Sequence, residues 1–156
     1  MDMSGTVTSG LGRAQKFMAQ PHYQDQFREL LGRTAWPGTL NVQVHGDDLV
    51  RYMALRQRAG LDTLDAADDL REQARNVDVE GVLAHRVRGF LRDGVSFGGA
   101  TAFLGHIRHG EGEGVACAVL IPDLTRHVDV VEIIADVFLR ETLGVEDGDA
   151  VHLRLA

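Results

Sequence analysis

The sequence predicts a mainly β protein with helices, a small closed barrel, and three observations carry that prediction. About six segments have strand lengths and branched apolar residues, and glycine-bearing turns separate them. Helical patterns do not alternate regularly with these segments, which argues against a doubly wound parallel sheet. With 156 residues, 44% of them hydrophobic, and three prolines, the chain fits one domain over 1–156.

In chain order, residues 6–9 read as a short strand that runs into the flexible loop begun by Gly10, Leu11 and Gly12. Pro21 suits the first position of a helix, Tyr23, Phe27, Leu30 and Leu31 share one face, and Gly32 supplies a left-handed stop. After a turn at Trp36, Pro37 and Gly38, residues 39–44 alternate strictly, with Leu40, Val42 and Val44 on one face and Thr39, Asn41 and Gln43 on the other. Residues 47–76 read as an inserted helical hairpin. Its first helix aligns Leu49, Tyr52, Met53 and Arg56, Gly60 breaks it, and its second aligns Ala66, Ala67, Leu70 and Ala74. Residues 79–90, 101–108 and 115–121 are expected as strands, divided by turns near Gly94, Gly98 and residues 110–114. Asp129 is expected to cap a helix over 130–143, with Glu132 as capping-box partner, Val130, Ile133, Ile134, Val137 and Phe138 facing the core, and Gly144 as the stop. Alternating residues 151–155 close the chain as a strand.

Charge and composition exclude several classes. Sixteen basic against 23 acidic residues give a formal charge of −7, which argues against nucleic acid as a partner because phosphate neutralisation needs a clustered cationic face. No apolar run approaches the roughly 20 residues of a membrane span, and the first ten residues lack the basic start and apolar core of an export signal. The expectation is a cytoplasmic protein with no membrane partner. The single cysteine, Cys117, sits in an apolar run and reads as a buried small hydrophobe.

Each chemical motif has a bland reading beside the functional one. Gly10, Leu11, Gly12 and Arg13 after a strand can bring backbone N–H groups close to an anion, although two glycines near a turn are commonly structural, and neither a Rossmann fingerprint nor a Walker A loop is present. Thr39 and Asn41 offer two neutral oxygens at i and i+2, a sparse shell that suits magnesium coordinated otherwise by phosphate and water; without context the same pair is a solvated face. His106 and His109 would point to opposite faces of a strand, so a zinc site is not expected. Glu132 alone reads as a capping residue, Thr125 as a turn hydroxyl and Arg140 as a helix-dipole partner.

Taken together, the motifs do more. Residues 5–12, then Phe17, Tyr23, Phe27, Leu31 and Gly32, then 37–42, resemble the archaeal-type CTP-dependent riboflavin kinases. In the second half, 121–122, 125–127, 131–135, 139–141 and 147–149 fall in the same family order. The resemblance covers about residues 5–45 and 80–156. It implies a six-stranded cradle-loop, riboflavin-kinase-like barrel and transfer of the terminal phosphate of CTP to the 5′-hydroxyl of riboflavin, giving FMN and CDP. Carried over residue by residue, Gly10, Leu11, Gly12, Arg13, Ala14, Gln15 and Lys16, with Val137, Phe138, Leu139 and Arg140, would hold the nucleotide; Thr39 and Asn41 would bind Mg2+; Thr125 and Glu132 would contact the flavin. Glu132 is then the catalytic candidate, either as base or only as a ligand of the ribityl chain. Ala14 replaces a third loop glycine of the family and Gln15 and Lys16 replace an Arg–aromatic pair, which leaves nucleotide preference open. The hairpin over 47–76 is longer than the family's connection and reads as a lid, a dimer surface or an inert insertion. The family's optional N-terminal winged-helix domain is not expected here, and the oligomeric state stays open. A non-catalytic flavin or nucleotide sensor on the same barrel is the competing function.

Overall fold

Branched side chains at alternating positions favour extended backbone, and in this chain they build a barrel whose wall is one continuous antiparallel ladder. A computed structural model describes residues 1–10, 17–125 and 127–155. Its elements run β1 (Asp2–Thr8), α1 (Pro21–Leu31), β2 (Leu40–Gln43), α2 (Gly46–Arg58), α3 (Asp68–Arg75), β3 (Ala84–Val87), β4 (Phe90–Arg92), β5 (Val95–Phe97), β6 (Ala100–Arg108), β7 (Val115–Pro122), β8 (Val130–Ile134), α4 (Leu139–Leu143) and β9 (Ala150–Leu155). Six strands pair in the order β6, β7, β8, β2, β1, β9 and back to β6, so the barrel is closed and leaves no edge within it. A side chain on Gly105 would strike the backbone of Arg154, which explains glycine where β6 and β9 close the ring.

Two cores follow from the alternation. Inside the barrel, Met3, Val7, Leu40, Val42, Phe103, Val119, Val131, Ile133 and Leu153 pack together. On its outer surface α1 lays Phe27 against Ala102, Ala118, Leu120 and Ile134. α1 begins with Pro21 and ends at Gly32, whose φ of 79° is the left-handed conformation that glycine reaches without strain. α2 is buried on more than one face: Tyr52 and Leu55 join the barrel core, while Met53 and Ala54 pack with Ala74 of α3.

The expected barrel stands, but its sixth strand is not the expected one. Residues 130–143 do not form one capped helix: 130–134 are β8, and the helix is only Leu139–Leu143, with Phe138 at its N-cap. The apolar spacing of Val130, Ile133 and Ile134 imitates a helical face because β8 is buried on both sides, Val131 and Ile133 inside the barrel and Ile134 beneath α1. Its branched residues decide for a strand. Residues 79–90 are not one strand either: β3 pairs only with β6, outside the ring, and the turn around Asp93 and Gly94 joins β4 to β5 as a separate hairpin. The first strand runs from Asp2 to Thr8, longer than the expected 6–9.

Candidate active site

The alternation of β2 and β8 sends Leu40, Val42, Val131 and Ile133 inward, and therefore sends Asn41 and Glu132 outward. The two are directly opposite in the ladder, a position that brings facing Cβ atoms to about 5 Å. The same row continues to Thr8, opposite Asn41, and to Leu120, opposite Glu132. Asn41 is only 8% exposed, so it is not part of a solvated face. The Thr39 hydroxyl donates to Asn41 Oδ1 at 2.8 Å, and a side chain on Gly10 would run into the Asn41 amide, which places the first residue of the glycine loop against it.

Glu132 is a strand residue and caps nothing. Burial pushes its carboxyl above the ordinary glutamate range, and the nearby His127 offsets only part of that rise. Burial also raises the Tyr52 phenol, which feels the charges of Arg56, Glu132, Asp129 and Asp65. Thr125 stands in the turn between β7 and β8; its N–H donates to the Pro122 carbonyl at 3.0 Å and its Oγ1 accepts from the His127 N–H at 3.2 Å.

A second polar cluster closes the other side. Arg140, on α4, donates to Asp147 Oδ1 at 2.7 Å, to Ser9 Oγ at 3.4 Å and to the Thr8 carbonyl at 3.3 Å. The Ser9 hydroxyl donates to Asp147 Oδ2 at 2.6 Å, and these hydrogen bonds from Ser9 and Arg140 hold the Asp147 carboxyl below the usual aspartate range. Arg140 thus sits where β1 gives way to the glycine loop, a role its expected place near the end of a long helix did not suggest. Phe138 stacks on Trp36 with ring centroids 5.1 Å apart at 20°, both rings exposed, whereas Leu139 is buried in the barrel core. Val137 packs against that core from outside.

Of the site residues expected from sequence, the structure joins Asn41, Thr39, Glu132 and Gly10, and separately joins Arg140 to the end of β1. Leu11, Gly12, Arg13, Ala14, Gln15 and Lys16 lie outside the described residues. Sequence reasoning missed the Trp36–Phe138 stack and the charged neighbours of Tyr52; an arginine on an apolar helix face, Arg56, was the available signal for the latter. Among the described residues no group of three or more His, Cys, Asp or Glu side chains is arranged to hold a metal, and no helix is long and apolar enough to cross a membrane.

The family model CTP-dep_RFKase, described as "Domain of unknown function DUF120", matches residues 7–74 and 63–155. The chain belongs to this family. Among its relatives, a protein named riboflavin kinase from Halobacterium salinarum is 37% identical over 156 residues, covering 98% of this chain and 56% of that protein. Proteins of the same name from Methanosarcina acetivorans and Thermoplasma acidophilum are 33% and 30% identical, over 99% and 98% of this chain and 54% and 56% of theirs. The chain therefore spans little more than half the length of these curated relatives.

Proposed function

We propose that the chain is a CTP-dependent riboflavin kinase that transfers the terminal phosphate of CTP to the 5′-hydroxyl of riboflavin, releasing CDP and FMN. The observation that carries this reading is the register of β2 on β8, which sets a half-buried carboxylate, Glu132, beside the Thr39–Asn41 oxygen pair at the start of a glycine loop. Phosphoryl transfer asks mainly for positioning and charge neutralisation, and an outer barrel wall with fixed side chains supplies the first. Glu132 holds the ribityl hydroxyl and accepts its proton as the phosphorus–oxygen bond forms; a carboxylate raised by burial is a stronger base than an exposed one. Arg140 and the backbone of the glycine loop offer positive charge to the nucleotide.

The residues present also fit magnesium. Two neutral oxygens 2.8 Å apart match neighbouring corners of an octahedral ion, whose ligand oxygens at about 2.1 Å lie about 3 Å from one another. Thr39 and Asn41 would hold the ion, with nucleotide phosphates and water completing the shell. When bound, it neutralises charge on the phosphates. Incubating the purified chain with riboflavin, magnesium and each nucleoside triphosphate in turn tests the whole reading: FMN should form fastest with CTP. No FMN with any nucleotide would reject the kinase and favour a sensor of the same ligands.

A further inference from the structure

β3 pairs only with β6 and lies outside the ring, so closure of the barrel does not need it. It does carry Arg86. In the ladder Arg86 stands opposite Thr101 of β6, which stands opposite Ile121 of β7, and alternation makes Asp123 the next residue on that face beyond Ile121. The Arg86 guanidinium forks onto the Asp123 carboxylate through both terminal nitrogens, one of them at 2.6 Å. Gly99 lies against the pair: a side chain there would strike the guanidinium and crowd the carboxylate, and the Gly99 carbonyl accepts from the Asp123 N–H at 3.0 Å. α1 anchors the segment between Arg86 and Gly99. The Gln26 amide donates to the Arg88 carbonyl at 2.9 Å and accepts from the Arg88 N–H at 2.6 Å, and the Tyr23 hydroxyl donates to the Gly98 carbonyl at 2.5 Å.

These contacts converge on the turn that follows β7, where Asp123 and Thr125 line a cleft of about 320 Å³ shared with Arg56 and the helical hairpin. Leu124 between them is 87% exposed, so its side chain anchors nothing. Among the described residues, the hydrogen bonds of Thr125 stay within 122–127, whereas those of Asp123 reach Gly99 and Arg86. We propose that Arg86 is a positioning residue for the acceptor side of the reaction: by fixing Asp123 it sets where the Thr125 hydroxyl stands. The inference rests on the riboflavin kinase reading, in which Thr125 contacts the flavin, and extends it to a strand outside the barrel. A planar guanidinium on two carboxylate oxygens fixes direction as well as distance, which a single ion contact does not. Both side chains are partly exposed, and such pairs contribute little to global stability. Stabilising the fold therefore does not account for an arrangement built from a fork, a glycine and a backbone hydrogen bond, whereas orienting the turn two residues before Thr125 does.

The test is a double-mutant cycle read as riboflavin dissociation constants of the purified chain, with CTP as the control ligand. Arg86→Met removes the fork and should weaken riboflavin about fivefold, the loss of one neutral hydrogen bond to a ligand, while CTP stays within about twofold. Thr125→Val removes the hydroxyl itself. Because Arg86 acts through that hydroxyl, adding Arg86→Met to Thr125→Val should weaken riboflavin no further. Gly99→Ala drives a methyl group into the fork and keeps both charges, so it should reproduce the Arg86→Met loss, and it decides the matter if Arg86→Met fails to fold. Unchanged riboflavin affinity in either folded variant would overturn the inference, as would a fully additive cycle or a loss of CTP equal to that of riboflavin. An unaltered chain that binds no riboflavin would instead reject the kinase reading from which the inference starts.

Discussion

Two polar clusters, one on the β2–β8 ladder and one between α4 and the loops beside β1, are built on opposite physical terms. Asn41 and Glu132 are held by the ladder itself: their separation is a strand register, Asn41 is buried and Glu132 half-buried, and the carboxylate is pushed toward its neutral form. Arg140, Asp147 and Ser9 are held by side chains reaching across loops, in water, and the carboxylate there is drawn toward its charged form. A register cannot drift by part of a residue, so the first cluster is suited to fixing reacting atoms; the second can move with a loop and is suited to admitting a ligand. Rigidity in this site is therefore concentrated in the β2–β8 ladder.

The largest effect is expected from Glu132→Gln, which keeps shape and removes charge. Turnover should fall by roughly 10²-fold or more, since a positioned general base contributes about that much. The melting temperature should hold or rise. A variant with near-normal turnover would remove Glu132 from the chemistry. Next in size is the oxygen pair: Asn41→Ala and Thr39→Val should each lower turnover about tenfold or more at limiting magnesium, and the double variant should lose less than the product if the two share one ion as proposed. Losses that simply multiply would assign the two residues separate tasks.

Arg140→Met probes the wet cluster and should raise the apparent constant for the nucleotide by about tenfold while leaving that for riboflavin unchanged, as expected when one charged contact to an anion is removed. An equal change in both would make Arg140 a structural tie between α4 and β1. The smallest effects are in the pH dependence of stability, where the two carboxylates should have opposite signs. Glu132 is raised in the fold, so the unaltered protein loses stability relative to Glu132→Gln as pH rises from the ordinary glutamate value through the raised one. Asp147 is lowered, so its contribution is complete above the ordinary aspartate value and is lost as pH falls through the lowered one; Asp147→Asn lacks that slope. Denaturant titrations of the three proteins across the acid range would show both trends, and two slopes of the same sign would contradict the contrast.

Legible in the residue pattern were the closed barrel, α1 with its proline start and glycine stop, the hairpin, and the inward set of Leu40, Val42 and Val44, because each is a local periodicity or a local backbone demand. It also marked Thr39, Asn41 and Glu132 as residues worth following. It misjudged β8, where burial on both faces erased the period that separates strand from helix, and with it the reason Glu132 is placed where it is. It took the packed fold to show that Asn41 faces Glu132, that Arg140 reaches the end of β1 and that Arg56 lines a cleft with Thr125. Each of these joins residues far apart in the chain, and strand register and helix docking are set by how two surfaces fit, which no local pattern in either surface encodes alone.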